Sequence, residues 1–413
     1  MRRPSISFTA ALLTAGLMAA ACSQEDSGLQ ADVSAVASSV APTSAAATTD
    51  PAASTTASTS SAATSSTAAA TTLGPTTTPA PTMPLIPQTT VRVSTPTTQA
   101  QLPPQTGAQT LRYEVGPYDI QPGQNNIDYT PGIPQPWVNG WITGFKADLR
   151  FKDGSVPPVD VVHLHHGVWL NTSSADLTAS VPERFFAAGE EKTAVKLPAP
   201  YGYRYRTSDR WMLNYMLHNL TPAARKVWVT YEVEFIPDTS PLAAGMVRAR
   251  PVWMDVQNGS IYPVFDSIKG SGDGVTFTYP DQAVNPYPGK RKNEWVVDRD
   301  GVLVATAGHL HPGGLHTELN VRRGASTVRL FRSEAKYFEP AGAVSWDVAM
   351  TATTPDWRAA VKAGDVLSTT ATYDSAVASW YESMGIMVVW MGDVGLPAPD
   401  PFTTAVDKAG MLT

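Results

Sequence analysis

The sequence predicts an all-β protein: two antiparallel, jelly-roll-like β-sandwich domains that follow a disordered tether rich in Ser, Thr, Ala and Pro. Three observations carry the prediction. Between about Leu111 and Phe402, short runs alternate apolar with polar residues, as in Val227-Trp228-Val229-Thr230-Tyr231-Glu232-Val233-Glu234-Phe235. Such alternation puts successive side chains on opposite faces of a strand. Clusters of Pro, Gly, Asn and Asp interrupt these runs at the spacing of sandwiches and barrels, and no long helical period competes with them. Upstream, residues 24–110 show no apolar period, and Arg92 is their only basic residue.

The chain opens on Arg2 and Arg3, followed by an apolar run over residues 6–21. That is the layout of a secretory signal, and the run is short for a membrane span. It ends in Ala19-Ala20-Ala21-Cys22, which resembles a bacterial lipobox with Ala19 where Leu is usual. Residues 1–21 therefore read as a lipoprotein signal peptide. Cys22, the single cysteine of the chain, is the expected lipid carrier. Residues 22–110 read as the tether, because a segment so poor in apolar and aromatic residues cannot offset its chain entropy by burial. At about 5–6 Å times the square root of its length, such a tether reaches roughly 50 Å. The expected location is the extracytoplasmic face of a bacterial cell membrane, held by the lipid anchor.

The rest of the chain is long enough for one large or two medium domains. A turn-rich stretch over residues 257–289 divides it, so the expected domains are 111–256 and 257–405. The net charge of −6 is modest and no basic stripe appears, which argues against nucleic acid as a partner.

All seven histidines lie in this part, and they cluster: His163, His165 and His166; His218 alone; then His309, His311 and His316. In Val159-Asp160-Val161-Val162-His163-Leu164-His165-His166-Gly167, strand alternation puts His163 and His165 on one face and His166 on the other. His165 and His166 can share a metal only if the strand bulges or ends there, which Gly167 permits. In Val302-Leu303-Val304-Ala305-Thr306-Ala307-Gly308-His309-Leu310-His311-Pro312-Gly313-Gly314, a strand presents His309 and His311 on one face before a turn. Two imidazoles on one face form half of a metal site. His218, taken alone, reads as a buried, hydrogen-bonded histidine. Met384, in Glu382-Ser383-Met384-Gly385-Ile386-Met387-Val388, reads as core filling by itself. Beside imidazoles, its thioether would favour Cu(I).

Taken in order, His165-His166, His218, His309-x-His311, Gly364-Asp365 and Glu382-Ser383-Met384 resemble the motifs of the type II copper, ascorbate-dependent monooxygenases. That is the family of peptidylglycine α-hydroxylating monooxygenase and dopamine β-monooxygenase. The Gly-His-Leu-His-Pro-Gly-Gly form is also similar to the stress-up-regulated nodulin-19 family. The resemblance implies two coppers per chain, one in each sandwich. His165, His166 and His218 would bind an electron-transfer copper; His309, His311 and Met384 would bind the catalytic copper that activates O2. The implied reaction is C–H hydroxylation, with ascorbate or another reductant as electron donor.

The chain departs from the animal enzymes in having no disulfides. It also has Ala307, Ile386 and Val388 where they recognise a peptide carboxylate. A small apolar or aromatic substrate suits that face better. His163 and His316 are left as groups that would orient ligands. Two other readings stand beside the enzyme: a non-catalytic copper-binding or copper-buffering lipoprotein, and an envelope β-sandwich whose histidines are structural.

Overall fold

Among the described residues, the alternating runs become twenty-two β-strands. The computed structural model describes residues 104–412 apart from 261, 282–290, 339–345 and 394–395. The signal peptide, Cys22 and nearly all of the expected tether lie outside the described residues. The first half comprises β1 (Gln109–Ile120), β2 (Ile127–Pro131), β3 (Gly140–Arg150), β4 (Val162–Ala175), β5 (Pro182–Gly189), β6 (Val195–Lys196), β7 (Tyr201–Tyr205), β8 (Trp211–Asn219), β9 (Arg225–Pro237) and β10 (Val247–Asp255). The second comprises β11 (Phe265–Ser267), β12 (Thr276–Tyr279), β13 (Glu294–Val296), β14 (Gly301–His309), β15 (Gly314–Arg323), β16 (Ser326–Tyr337), β17 (Val348–Ala352), β18 (Ala359–Val361), β19 (Val366–Asp374), β20 (Trp380–Ser383), β21 (Ile386–Gly392) and β22 (Met411–Leu412). One 3-10 helix, Pro241–Gly245, interrupts them, and the described residues contain no α-helix. None is therefore long and apolar enough to cross a membrane.

The protein is all-β, and its pairings are antiparallel except for the short β10–β7 contact. In the first half, the sheet β2-β8-β4-β5 faces strands β1-β9-β3-β7. Between them lies an aromatic core that includes Phe145, Trp169, Phe185, Phe186, Trp211 and Tyr231. β10 ends at Asp255, beside the expected boundary. It bonds to β7 of the first half and to β21 of the second, so one hydrogen-bonded path runs from β1 to β12.

The β10–β21–β14 portion has two buried faces, which explains the unbroken apolar run Ile386-Met387-Val388-Val389-Trp390-Met391. Met387, Val389 and Met391 pack with Leu319, Val321, Leu330 and Leu367 in the core of the second half. Trp390, Val302 and Val304 pack into the core of the first half. Ile386 joins a small apolar cluster with Trp253 and Met384, bordered by Val388, Val168 and Ala187. In register, His309 lies opposite Ile386, Ala307 opposite Val388 and Ala305 opposite Trp390. Alternation therefore turns His309 toward the first half of the chain, where the first histidine cluster lies.

A candidate metal centre

β4 carries the first cluster. Its pairing with β8 slips between Leu164 and His166, leaving His165 as the extra residue of a bulge. The bulge cancels one step of alternation, so the His165 and His166 rings stack, with centroids 4.3 Å apart and planes 21° apart. Gly189 on β5 pairs with His166. A Cβ there would stand 2.6 Å from a Glu191 carboxylate oxygen and 2.8 Å from the His165 carbonyl. Only glycine lets these groups approach so closely.

β14 ends at His309, and His311 lies just beyond it, in the turn that Gly313 closes with a φ of +89°. The two histidines are thus not both on a strand as expected, yet they converge. His166 Nε2 lies 3.2 Å from His309 Nε2 and 3.1 Å from His311 Nε2. Each outer ring is held from behind. His311 Nδ1 donates to the Glu382 carbonyl at 2.6 Å, and His309 Nδ1 donates to the Glu191 carboxylate at 3.1 Å. A carbonyl can only accept, so the His311 proton is on Nδ1 and its Nε2 lone pair is bare. The Glu191 carboxylate likewise accepts from His309 Nδ1, which leaves Nε2 as the ring atom that faces His166. Glu382 reaches this position with an unusual φ of +54°, a backbone cost of the kind concentrated at functional sites.

His165, His166 and His311 are held neutral. Burial, then the His309 ring, lowers His311 to about 3. Removal from water, reinforced by the neighbouring imidazoles, drives His165 and His166 well below the ordinary histidine range. A neutral ring whose bare nitrogen points at its neighbour, as that of His311 points at His166, has the protonation state and direction that a metal ligand needs.

The sequence-based expectations divide at this point. His166 was expected with His165 and His218, apart from His309 and His311; the structure brings His166 together with His309 and His311. His165 adjoins this group, since one nitrogen from each of His165, His166 and His311 lies within 4.8 Å of the others. Its Nδ1 donates to the Asn125 amide oxygen at 2.9 Å. His218 meets His163 and His165 instead, with ring centroids 5.0 and 6.3 Å away. Met384 lies between β20 and β21, not on a strand, in the apolar cluster with Trp253 and Ile386. That cluster approaches the imidazoles through Tyr262, whose ring is 6.4 Å from that of His166. His163 donates from Nδ1 to the Val159 carbonyl and stacks on Trp346. His316 stands beside Glu318 and the charges of Arg329 and Arg332. Asp365, from the Gly364-Asp365 motif, is bound by the Arg323 guanidinium through both oxygens.

Several residues at the centre were not singled out in the sequence. Trp346 packs against His163, His165, His218 and His311. The pair Glu190–Glu191 follows β5 directly, and both residues are buried, at 3% and 4% exposed. One ligand atom from each of Glu190, Glu191 and His309 lies within 4.8 Å of the others. Burial, then the charge of Glu191, pushes the Glu190 carboxyl well up. Two adjacent acids directly after the apolar Phe185-Phe186-Ala187-Ala188-Gly189 hint at buried carboxylates, but nothing in the sequence ties them to the histidines.

No protein-family model matches the chain, and no curated protein matches it. Among solved structures, it is similar to the major capsid protein P2 from Bacteriophage PM2, at 8% identity and a TM-score of 0.26, covering 70% of this chain and all of that one. It is also similar to PNGF-II, at 10% identity and a TM-score of 0.31, covering 70% of this chain and 66% of that one. A third is VP2 of infectious bursal disease virus, at 11% identity and a TM-score of 0.20, covering 71% and 75%. None of these likenesses is strong enough to carry a function across.

Proposed function

We propose that the protein binds copper at His166, His309 and His311 and acts as a monooxygenase, hydroxylating a C–H bond with O2 and a reductant such as ascorbate. The supporting observation is the convergence of three Nε2 atoms, at 3.1 and 3.2 Å from His166, with the outer two rings held at Nδ1 by oxygens. Neutral imidazole suits copper in either oxidation state, so the donor set fits the ion that the motif resemblance implies. Copper, when bound, would supply the one-electron chemistry that O2 requires. The overall reaction balances as substrate C–H, O2, two electrons and two protons giving C–OH and water.

The chain's own residues orient and enclose. Glu191 and the Glu382 carbonyl fix the ring tautomers. Ile386, opposite His309, and the neighbouring Val388 and Trp253 make that side of the centre apolar, which would suit a small apolar or aromatic substrate. Met384 belongs to the same cluster, where its thioether would favour Cu(I) if it joins the ion. Lipidation at Cys22 would hold the enzyme at the outer face of the membrane.

The deciding experiment is metal analysis of the purified protein, followed by oxygen uptake with ascorbate. Copper that is lost in His166→Ala, with uptake that requires both copper and ascorbate, is the expected result. Full copper content in His166→Ala would overturn the site. A binding protein without turnover is the second reading, favoured by the burial of His309 and His311, at 9% and 4% exposed. Bound copper without reductant-dependent uptake would select it.

A further inference from the structure

Glu190 is an anomalous side chain: a carboxylate enclosed with no counter-charge among the described residues. It is 3% exposed, and neither carboxylate oxygen has a hydrogen-bond partner among the described residues. Glu191, its neighbour, is equally enclosed and already serves His309. Burying one carboxylate without a partner is unfavourable, and burying a second beside it compounds the penalty. No salt bridge joins Glu190 to a Lys or Arg among the described residues, since Lys192 of the same segment reaches Asp148 instead. Ligand atoms of Glu190, Glu191 and the His309 ring stand within 4.8 Å of one another, close enough to close on one ion with small side-chain shifts.

We propose that Glu190, Glu191 and His309 form a second cation site beside the three-imidazole centre, taking a divalent first-row ion of the zinc type. Two carboxylates and one imidazole are a donor set that zinc accepts. The ion's two positive charges match the two carboxylates, which removes the cost of burying them. His309 would then serve both ions: its Nδ1 proton leaves to solvent, and the ring bridges the two positions. This inference goes beyond the copper reading and does not depend on it.

The test is titration of chelator-stripped, full-length protein with Zn(II) alone, followed by calorimetry and metal analysis. Wild type should take two ions per chain. Glu190→Gln, nearly the same in shape, should take one, and the double variant His166→Ala with His311→Ala should keep one at the carboxylates. A folded Glu190→Gln that still takes two ions overturns the proposal. So does a wild type whose single ion survives Glu190→Gln and is lost in the histidine variant, an outcome that leaves the three-imidazole centre standing. A single ion lost in Glu190→Gln and kept in the histidine variant supports the carboxylate site and removes the other. Should Glu190→Gln fail to fold, Glu190→Asp decides: weakening of one of the two binding steps supports the site, and two unchanged steps overturn it.

Discussion

At the scale of single residues, what makes the centre is not the histidines alone but the oxygens behind them. Glu191 and the Glu382 carbonyl turn the Nε2 atoms of His309 and His311 toward His166. Replacing Glu191 by Gln keeps an acceptor but removes its charge. Partners behind metal-binding histidines are typically worth about 10–100-fold in affinity. Glu191→Gln should therefore weaken copper binding by about that factor, measured by competition with a chelator, while the melting temperature changes little. An unchanged affinity would mean that Glu191 does not orient His309. Met384 poses the opposite question, because its burial against Trp253 and Ile386 fits core packing as well as ligation. If it is packing only, Met384→Leu should cost under about 1.5 kcal/mol and leave copper untouched. Sulfur scattering in the X-ray absorption spectrum of the reduced, copper-loaded wild type, lost in Met384→Leu, would make it a ligand.

At the scale of elements, β4, β5 and β14 bring the ligands together, and β5 does so through a glycine. A methyl group at Gly189 would press on Glu191 and on the His165 carbonyl. Overpacking of this kind costs about 1–3 kcal/mol. Gly189→Ala should show that loss in chemical denaturation together with weakened copper binding; a variant as stable and as metal-rich as wild type would show that the segment has room to move. Much at this scale was legible beforehand. The runs around Trp141, Val227 and Thr327 lie in β3, β9 and β16, because period-two patterning is a local property. The dependence of His165 and His166 on a bulge was also legible, from the adjacency of the two residues and Gly167. What could not be read was which histidines meet. That depends on the face of β14 turned toward the first half of the chain, a consequence of long-range pairing with β21. Glu190, Glu191 and Trp346 were missed for the same reason: nothing near them in sequence marks them as neighbours of imidazoles.

At the scale of the whole molecule, the proposed anchor gives one prediction: Cys22→Ser should leave the membrane fraction while the folded part keeps its melting temperature. Full sedimentation with membranes would count against lipidation there. The buried histidines give another, in the dependence of stability on pH. Burial lowers His163 to about 4 and His311 to about 3, against 6.5 in a solvated chain. Between those values the unfolded chain binds protons that the folded chain does not, so unfolding gains as pH falls. Each such histidine contributes a slope of at most about 1.4 kcal/mol per pH unit, with stability rising from about pH 4 to 6.5 and then levelling. Three buried acids, Glu183, Glu190 and Asp255, work against them. Burial raises Asp255 to about 7 and the two glutamates above their ordinary range, so the folded state keeps protons that the unfolded state loses above about pH 4, and their terms fall as pH rises. The lowered histidines, His163, His165, His166, His218, His311 and His316, outnumber these three acids. Urea unfolding of chelator-treated protein should therefore show stability increasing from pH 5 to 6.5. Asp255→Asn, which removes one opposing group, should make that rise steeper. Copper should lift the whole curve by an amount set by its concentration relative to Kd, because it binds the folded state. A metal-free protein whose stability is flat or falls over this interval would mean that its imidazoles already carry protons in the fold, and the neutral three-imidazole centre would go with them.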